Sequence, residues 1–245
     1  MNKKTLWVFG CSFTAEYFPV DLPNIKSNYD DYKRWRGGNL PKVWPTVLAE
    51  MMGYDVKNCG EGGAANQTIF WKFINEHKNF QKGDLVIIGW TSLLRFVAYN
   101  ELDNCMNNIL PSFINTNGTH IFSDQTLTEV FNNRSHPAWN KELWRWISLI
   151  NTFCKLSEVK ILHWNSDYEF FNEDYIDKNE VDTFIKTPDG NFNVFEFSRR
   201  LYSDGKYTME FETSGAVMDL HSGEFGHLSQ AKYFHDFIKK RASLI

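Results

Sequence analysis

Leu6-Trp7-Val8-Phe9-Gly10-Cys11-Ser12-Phe13-Thr14 decides how the fold is read: a short apolar run, a glycine, then a serine. Four apolar residues without polar alternation suit a strand buried on both faces, the kind found in parallel sheets covered by helices. A serine on the tight turn where such a strand hands over to a helix is a good place for a nucleophile. Near the other end, Asp219-Leu220-His221 sets a histidine beside a carboxylate, just before the helical pattern that closes the chain. Serine first and acid-histidine last suggests nucleophilic acyl chemistry.

Outward from the first run, further apolar runs at Leu6–Phe9, Tyr54–Val56, Leu85–Gly89 and Val159–His163 alternate with helical patterns. That alternation indicates an α/β sheet. Trp44, Val47, Leu48, Met51 and Met52 share one helical face, with Pro45 suited to the first turn and Gly53 to the C-terminal cap. Ile69, Phe70, Phe73, Ile74 and His77 form the next stripe, and Leu143, Ile147, Ile150 and Cys154 another. Leu228, Ala231, Phe234, Phe237 and Ile238 mark a last helix, whose basic end Lys239-Lys240-Arg241 suits a helix C-terminus. Two stretches break the rhythm, near 98–137 and 165–217. They read as insertions in one 1–245 domain, of a size that commonly lines or covers a site.

The 245 residues include 42% hydrophobic and 16% aromatic, which suits a globular chain burying many rings. A net charge of −4, with no basic stripe interleaved with aromatics, gives no reason to expect nucleic acid or a membrane surface as a partner. Met1-Asn2-Lys3-Lys4 followed by an apolar run and Cys11 has the outline of a lipoprotein signal, but the run is about half the minimum length and polar residues follow at once. A first strand is the simpler expectation, with a cytoplasmic location. Cys11, Cys59, Cys105 and Cys154 are widely spread without a C-x-x-C pair, so neither a zinc site nor a disulfide framework is expected.

These blocks together resemble the SGNH, or GDSL-like, hydrolases, in four short matches spread over most of the chain. Gly10-Cys11-Ser12-Phe13-Thr14 is similar to that family's Gly-Asp-Ser block, with Cys11 in place of Asp and Ser12 at the nucleophile position. Asn58-Cys59-Gly60-Glu61-Gly62-Gly63 is similar to Asn-x-Gly-x-x-Gly, whose last glycine donates an oxyanion N–H, which points to Gly63. The third block, Gly-x-Asn-Asp, meets Gly89-Trp90-Thr91-Ser92, with Thr91 at the oxyanion-binding Asn position. Thr91, Ser92 or Asn66 are the candidates to replace that donor. The last block, Asp-x-x-His, is one residue shorter in Asp219-Leu220-His221, although Gly226 follows His221 at the family's spacing.

The resemblance implies a three-layer α/β/α sandwich with a flavodoxin-like parallel sheet, and ester cleavage without metal or cofactor. The implied catalytic residues are Ser12, His221 and Asp219, and the oxyanion hole draws on Ser12, Gly63 and Thr91 or Asn66. Serine needs a base with a pKa near 7, and His221 is the best placed of the seven histidines. A helix opening just after Ser12 would also aim its N–H groups at the oxyanion. The substrate expected is a small-molecule or glycan ester, with an acyl group such as acetyl removed. Acyl transfer to a hydroxyl through the same serine, and a non-catalytic glycan-binding or assembly module, are the alternatives.

Each residue also has a plainer role. Ser12 fits a helix cap, Asp219 a brace for the final turn, and Arg95 a solvated or paired cation rather than an anchor for an anionic group. Ser92 stands with Arg95 as a substrate-binding candidate. Aromatic and acidic residues between 165 and 217 suit either a sugar-binding rim or a solvated loop.

Overall fold

In a computed structural model the odd and even residues of the first strand part cleanly between two apolar cores. The structure describes residues 3–16, 42–100, 105–109, 136–166, 180–192, 194, 197–198, 210–211, 218–219 and 224–242. Strand β1, Thr5–Phe9, sends Trp7 and Phe9 to one face and Leu6 and Val8 to the other. Strand β3, Leu85–Trp90, repeats this with Val86, Ile88 and Trp90 against Leu85 and Ile87, and all six of its residues are buried. Residues of period 2 that are apolar on both sides can be satisfied only by cover on both sides.

Among the described residues that cover comes mainly from four helices. Helix α1, Trp44–Met52, and helix α4, Glu224–Ala242, pack through Trp44, Leu48, Ala231 and Phe234 on the Leu6–Val8 face. Helix α2, Asn66–Glu76, and helix α3, His136–Leu156, pack through Ile69, Phe73, Leu143, Ile147, Ile150 and Cys154 on the Trp7–Phe9 face. All the helical stripes read from the sequence therefore lie on the sheet. In α1, Pro45 occupies the first turn, and Gly53 closes the helix at φ 68°, its N–H bonding back to Glu50.

Strand β2, Asp55–Asn58, and strand β6, Lys160–Asn165, complete a parallel four-stranded sheet in the order β2-β1-β3-β6. This is the expected three-layer α/β/α sandwich with flavodoxin-like strand order. Both outer strands extend past the apolar runs that announced them: β2 to Asn58 and β6 to Asn165. Phe184 adds a parallel bridge beside His163, with Ile185 N–H donating to the His163 carbonyl at 2.8 Å. The stretches that broke the sequence rhythm carry regular structure where they are described. Strand β4, Phe96–Asn100, and strand β5, Cys105–Ile109, form an antiparallel hairpin, and a two-residue pair joins β7, Glu210–Phe211, to β8, Met218–Asp219.

Polar groups tie the layers. The buried Asp84 carboxylate accepts from Thr5 N–H at 2.8 Å, the Trp7 indole N–H at 2.9 Å and Gln81 N–H at 3.0 Å. One side chain thereby fixes the start of β1 against the turn that enters β3.

Gly89 faces Trp164 across the β3–β6 pair, and a methyl built on it would lie 2.6 Å from the indole Nε1. That indole is fully buried and boxed by Trp44 and Phe234, with centroids 5.7 and 5.5 Å away, so it has nowhere to retreat. Gly89→Ala is expected to destabilise the protein by about 2 kcal/mol. A chemical-denaturation midpoint compared with wild type checks this.

Candidate functional site

The site is assembled at the carboxyl ends of β1, β2 and β3. In this strand order the chain leaves β1 for β2 on one side and returns to β3 on the other, which opens a crevice between β1 and β3 at the switch point. Ser12 stands at this point. The carbonyl of Cys11 accepts from Thr14 N–H at 2.8 Å and Ala15 N–H at 3.0 Å, closing one helix-like turn around the half-buried serine. The helix expected after Ser12 is described only as far as this turn.

The β2 exit is fastened to the same turn. Asn58 donates through Nδ2 to the Thr14 carbonyl at 2.7 Å and accepts Gly60 N–H at 3.0 Å, while Glu61 N–H reaches the Gly10 carbonyl at 3.0 Å. Gly60 is packed so closely that a methyl on it would lie 2.6 Å from the Ala15 nitrogen, a backbone atom that cannot rotate aside. Gly63 follows with φ 72°, a left-handed conformation that a side chain would strain. Among the described residues the N–H groups of Ser12 and Gly63 have no hydrogen-bond partner. The two expected oxyanion donors thus sit on two loops stitched to each other.

Asn66 takes a role that its sequence position does not announce. Its Oδ1 accepts Thr91 N–H and its Nδ2 donates to the Thr91 carbonyl, both at 2.9 Å. The buried amide is therefore engaged on both sides by one peptide, and it braces the β3 exit against the start of α2. Thr91 is fully buried, and its hydroxyl has no partner among the described residues. Ser92 caps the next turn: its Oγ accepts Leu94 N–H and its carbonyl accepts Arg95 N–H, both at 3.2 Å. Arg95 lines a cleft beside Asn66.

Cys11, beside Ser12, is fully buried and lies 3.5 Å from the Ser166 hydroxyl, which donates to the Trp90 carbonyl at 2.6 Å. It is a wall of the site and has no open face. Deeper in the same wall, His163 Nδ1 accepts the Trp90 indole N–H at 3.1 Å, and its Nε2–H donates to Asn151 Oδ1 at 2.9 Å. Burial pushes the His163 imidazole pKa down to about 3, so it is neutral and fixed in one tautomer. His227 is also internal, accepting Trp44 N–H at Nδ1. The base expected from sequence, His221, lies outside the described residues, and Asp219 is described only by its backbone pairing with Glu210.

Sequence reasoning missed the Asn66 clamp, the Asp84 clamp and the His163 network. It also missed Asn108 of β5, which accepts Ala65 N–H at 2.9 Å and the Thr68 hydroxyl at 2.5 Å and donates to Glu61 Oε1 at 3.1 Å. This side chain docks the hairpin onto the loop that carries Gly63. Among the described residues no three His, Cys, Asp or Glu side chains come together to hold a metal ion, and no helix is long and apolar enough to cross a membrane.

No family model and no curated protein matches the chain. Among solved structures, it is similar to a protein from Desulfitobacterium hafniense DCB-2 provisionally described as lipolytic and of the G-D-S-L family. The identity is 13% and the TM-score 0.41, over 95% of this chain and 98% of that one. A possible lipase from Chitinophaga pinensis DSM 2588 is similar at 11% identity and TM-score 0.36, over 97% and 98% of the two chains. Likenesses this distant fix neither family nor activity.

Proposed function

We propose that the protein is a serine esterase of the SGNH type, cleaving an acyl ester through Ser12. One observation carries this reading: Ser12 stands at the switch point with its own N–H and that of Gly63 unpartnered among the described residues, on loops fastened together through Glu61 and Gly10. Two preorganised N–H donors beside a serine are the parts needed to stabilise a tetrahedral oxyanion.

In this mechanism the Ser12 Oγ attacks the ester carbonyl carbon while its proton passes to His221. The negative charge that develops on the carbonyl oxygen is held by the Ser12 and Gly63 N–H groups. Collapse breaks the acyl–oxygen bond, and the leaving alcohol takes the proton from His221. Water then gives a proton to His221 and attacks the acyl-serine, releasing the acid and restoring Ser12. Asp219 holds the His221 tautomer. Asn66 fixes the Thr91 peptide at the β3 exit, beside the Ser12 and Gly63 donors.

A fluorophosphonate probe read by intact mass tests the reading. Wild type is expected to gain one adduct, and Ser12→Ala and His221→Ala are expected to gain none. Wild-type protein that is folded yet unlabelled overturns the mechanism.

A further inference from the structure

Beside the β3 exit lies an open, shallow cleft whose lining does not serve the Ser12 chemistry directly. Asn66 and Gln67 from α2, Arg95 from the turn after β3, and Trp139, Glu142 and Trp146 from α3 face it. Asn66 is shared: the amide that clamps Thr91 is also a wall of the cleft, so the cleft adjoins the site.

Arg95 decides its chemistry. Among the described residues its Nη1 is buried and has no hydrogen-bond partner. Guanidinium stays charged at every physiological pH, and a charged donor withdrawn from water without an acceptor is costly. Glu142 lines the same cleft but is exposed, and no ion pair joins it to Arg95 among the described residues. On the cleft wall the guanidinium thus has no acceptor of its own among the described residues. The planar fork of arginine matches a carboxylate with two parallel hydrogen bonds.

The rest of the lining describes what carries that carboxylate. Trp146 is held by stacking on Phe70, with centroids 5.4 Å apart and planes at 15°, so it is a rigid wall, and Trp139 offers a second indole. Indole walls suit the flat C–H face of a sugar ring, and Gln67 and the exposed Glu142 suit its hydroxyls. We infer that this cleft binds an acidic sugar, its carboxylate on Arg95 and its ring along the tryptophans. As a subsite for the Ser12 reaction the cleft rests on the esterase reading, whereas the binding itself does not.

Titration calorimetry with sodium glucuronate, glucose and inorganic phosphate tests this. Glucuronate is expected to bind about tenfold or more tighter than glucose, and phosphate more weakly than glucuronate. Arg95→Gln should lose that advantage, and Arg95→Lys, which keeps the charge but not the fork, should keep only part of it, with melting curves confirming that both variants fold. Equal affinity for glucuronate and glucose, unchanged binding by folded Arg95→Lys, or a preference for phosphate overturns the assignment. Ser12→Ala protein should bind glucuronate as wild type does. Glucuronate binding without fluorophosphonate labelling therefore removes only the esterase reading, and labelling without glucuronate binding removes only the subsite.

Discussion

Ser12→Ala is expected to lower ester turnover by about 10⁴-fold or more while leaving folding stability within about 0.5 kcal/mol of wild type. The two halves of this expectation have separate causes. In the proposed mechanism the hydroxyl is the atom that forms the acyl-enzyme, so its removal deletes the reaction path rather than weakening it. Structurally it is dispensable: among the described residues the Ser12 side chain has no hydrogen-bond partner, and the turn is closed by the Cys11 carbonyl, which alanine leaves intact. Initial rates on an aryl acetate, set beside denaturation midpoints, check both. Loss of activity accompanied by loss of stability would identify Ser12 as a structural cap, the plainer role open to it from sequence.

The second large effect is on stability in acid. The His163 pKa is lowered from 6.5 to about 3 by burial. The unfolded chain therefore takes up a proton through the pH 6.5 to 3 window that the folded chain refuses. Stability from this group is complete above pH 6.5 and falls as the pH drops, at about 1.4 kcal/mol per pH unit, reaching about 2 kcal/mol by pH 5. The geometry explains the refusal. A second proton would sit on Nδ1, which accepts the Trp90 indole N–H, and would set two donors against each other. Beyond Nε2 the chain of bonds runs from Asn151 to Glu180, which also accepts from Ser148 at 2.6 Å, so breaking one end loosens α3 from β6. Urea unfolding at pH 7 and pH 5 measures the loss. His163→Gln, with an amide oxygen for Trp90 and an amide N–H for Asn151, is expected to flatten the pH dependence across that window.

What could be read from sequence follows from the range of the forces involved. The sheet was legible because burial on both faces leaves an apolar run, and α1 was legible because Pro45 and Gly53 act through their own backbone torsions. The Gly63 turn was legible for the same reason. Asn66 was legible only as a neighbour of Gly63 and an oxyanion candidate; its pairing with the Thr91 peptide, 25 positions on in the chain, was not. Asp84 and His163 gave no local sign, since a buried polar group is recognised by its partners and those come from other strands. The β4–β5 hairpin was hidden because its Asn-rich strands lack an apolar alternation.

Asn108 gives that hairpin a consequence for how the site can change over time. Ala65 N–H and the Thr68 hydroxyl both bond to this one side chain from outside the sheet, and the Glu61 carboxylate is shared between it and Lys72. The Gly63 loop and the hairpin are therefore expected to open together, below the free energy at which the sheet itself gives way. Mutation can reshape the hairpin beyond Asn108 without touching the strands that hold Ser12, so on the proposed reading substrate preference can drift while the serine stays anchored. The Ala65 amide is the natural witness of that separation in hydrogen exchange, because its bond to Asn108 is lost whenever the hairpin lifts.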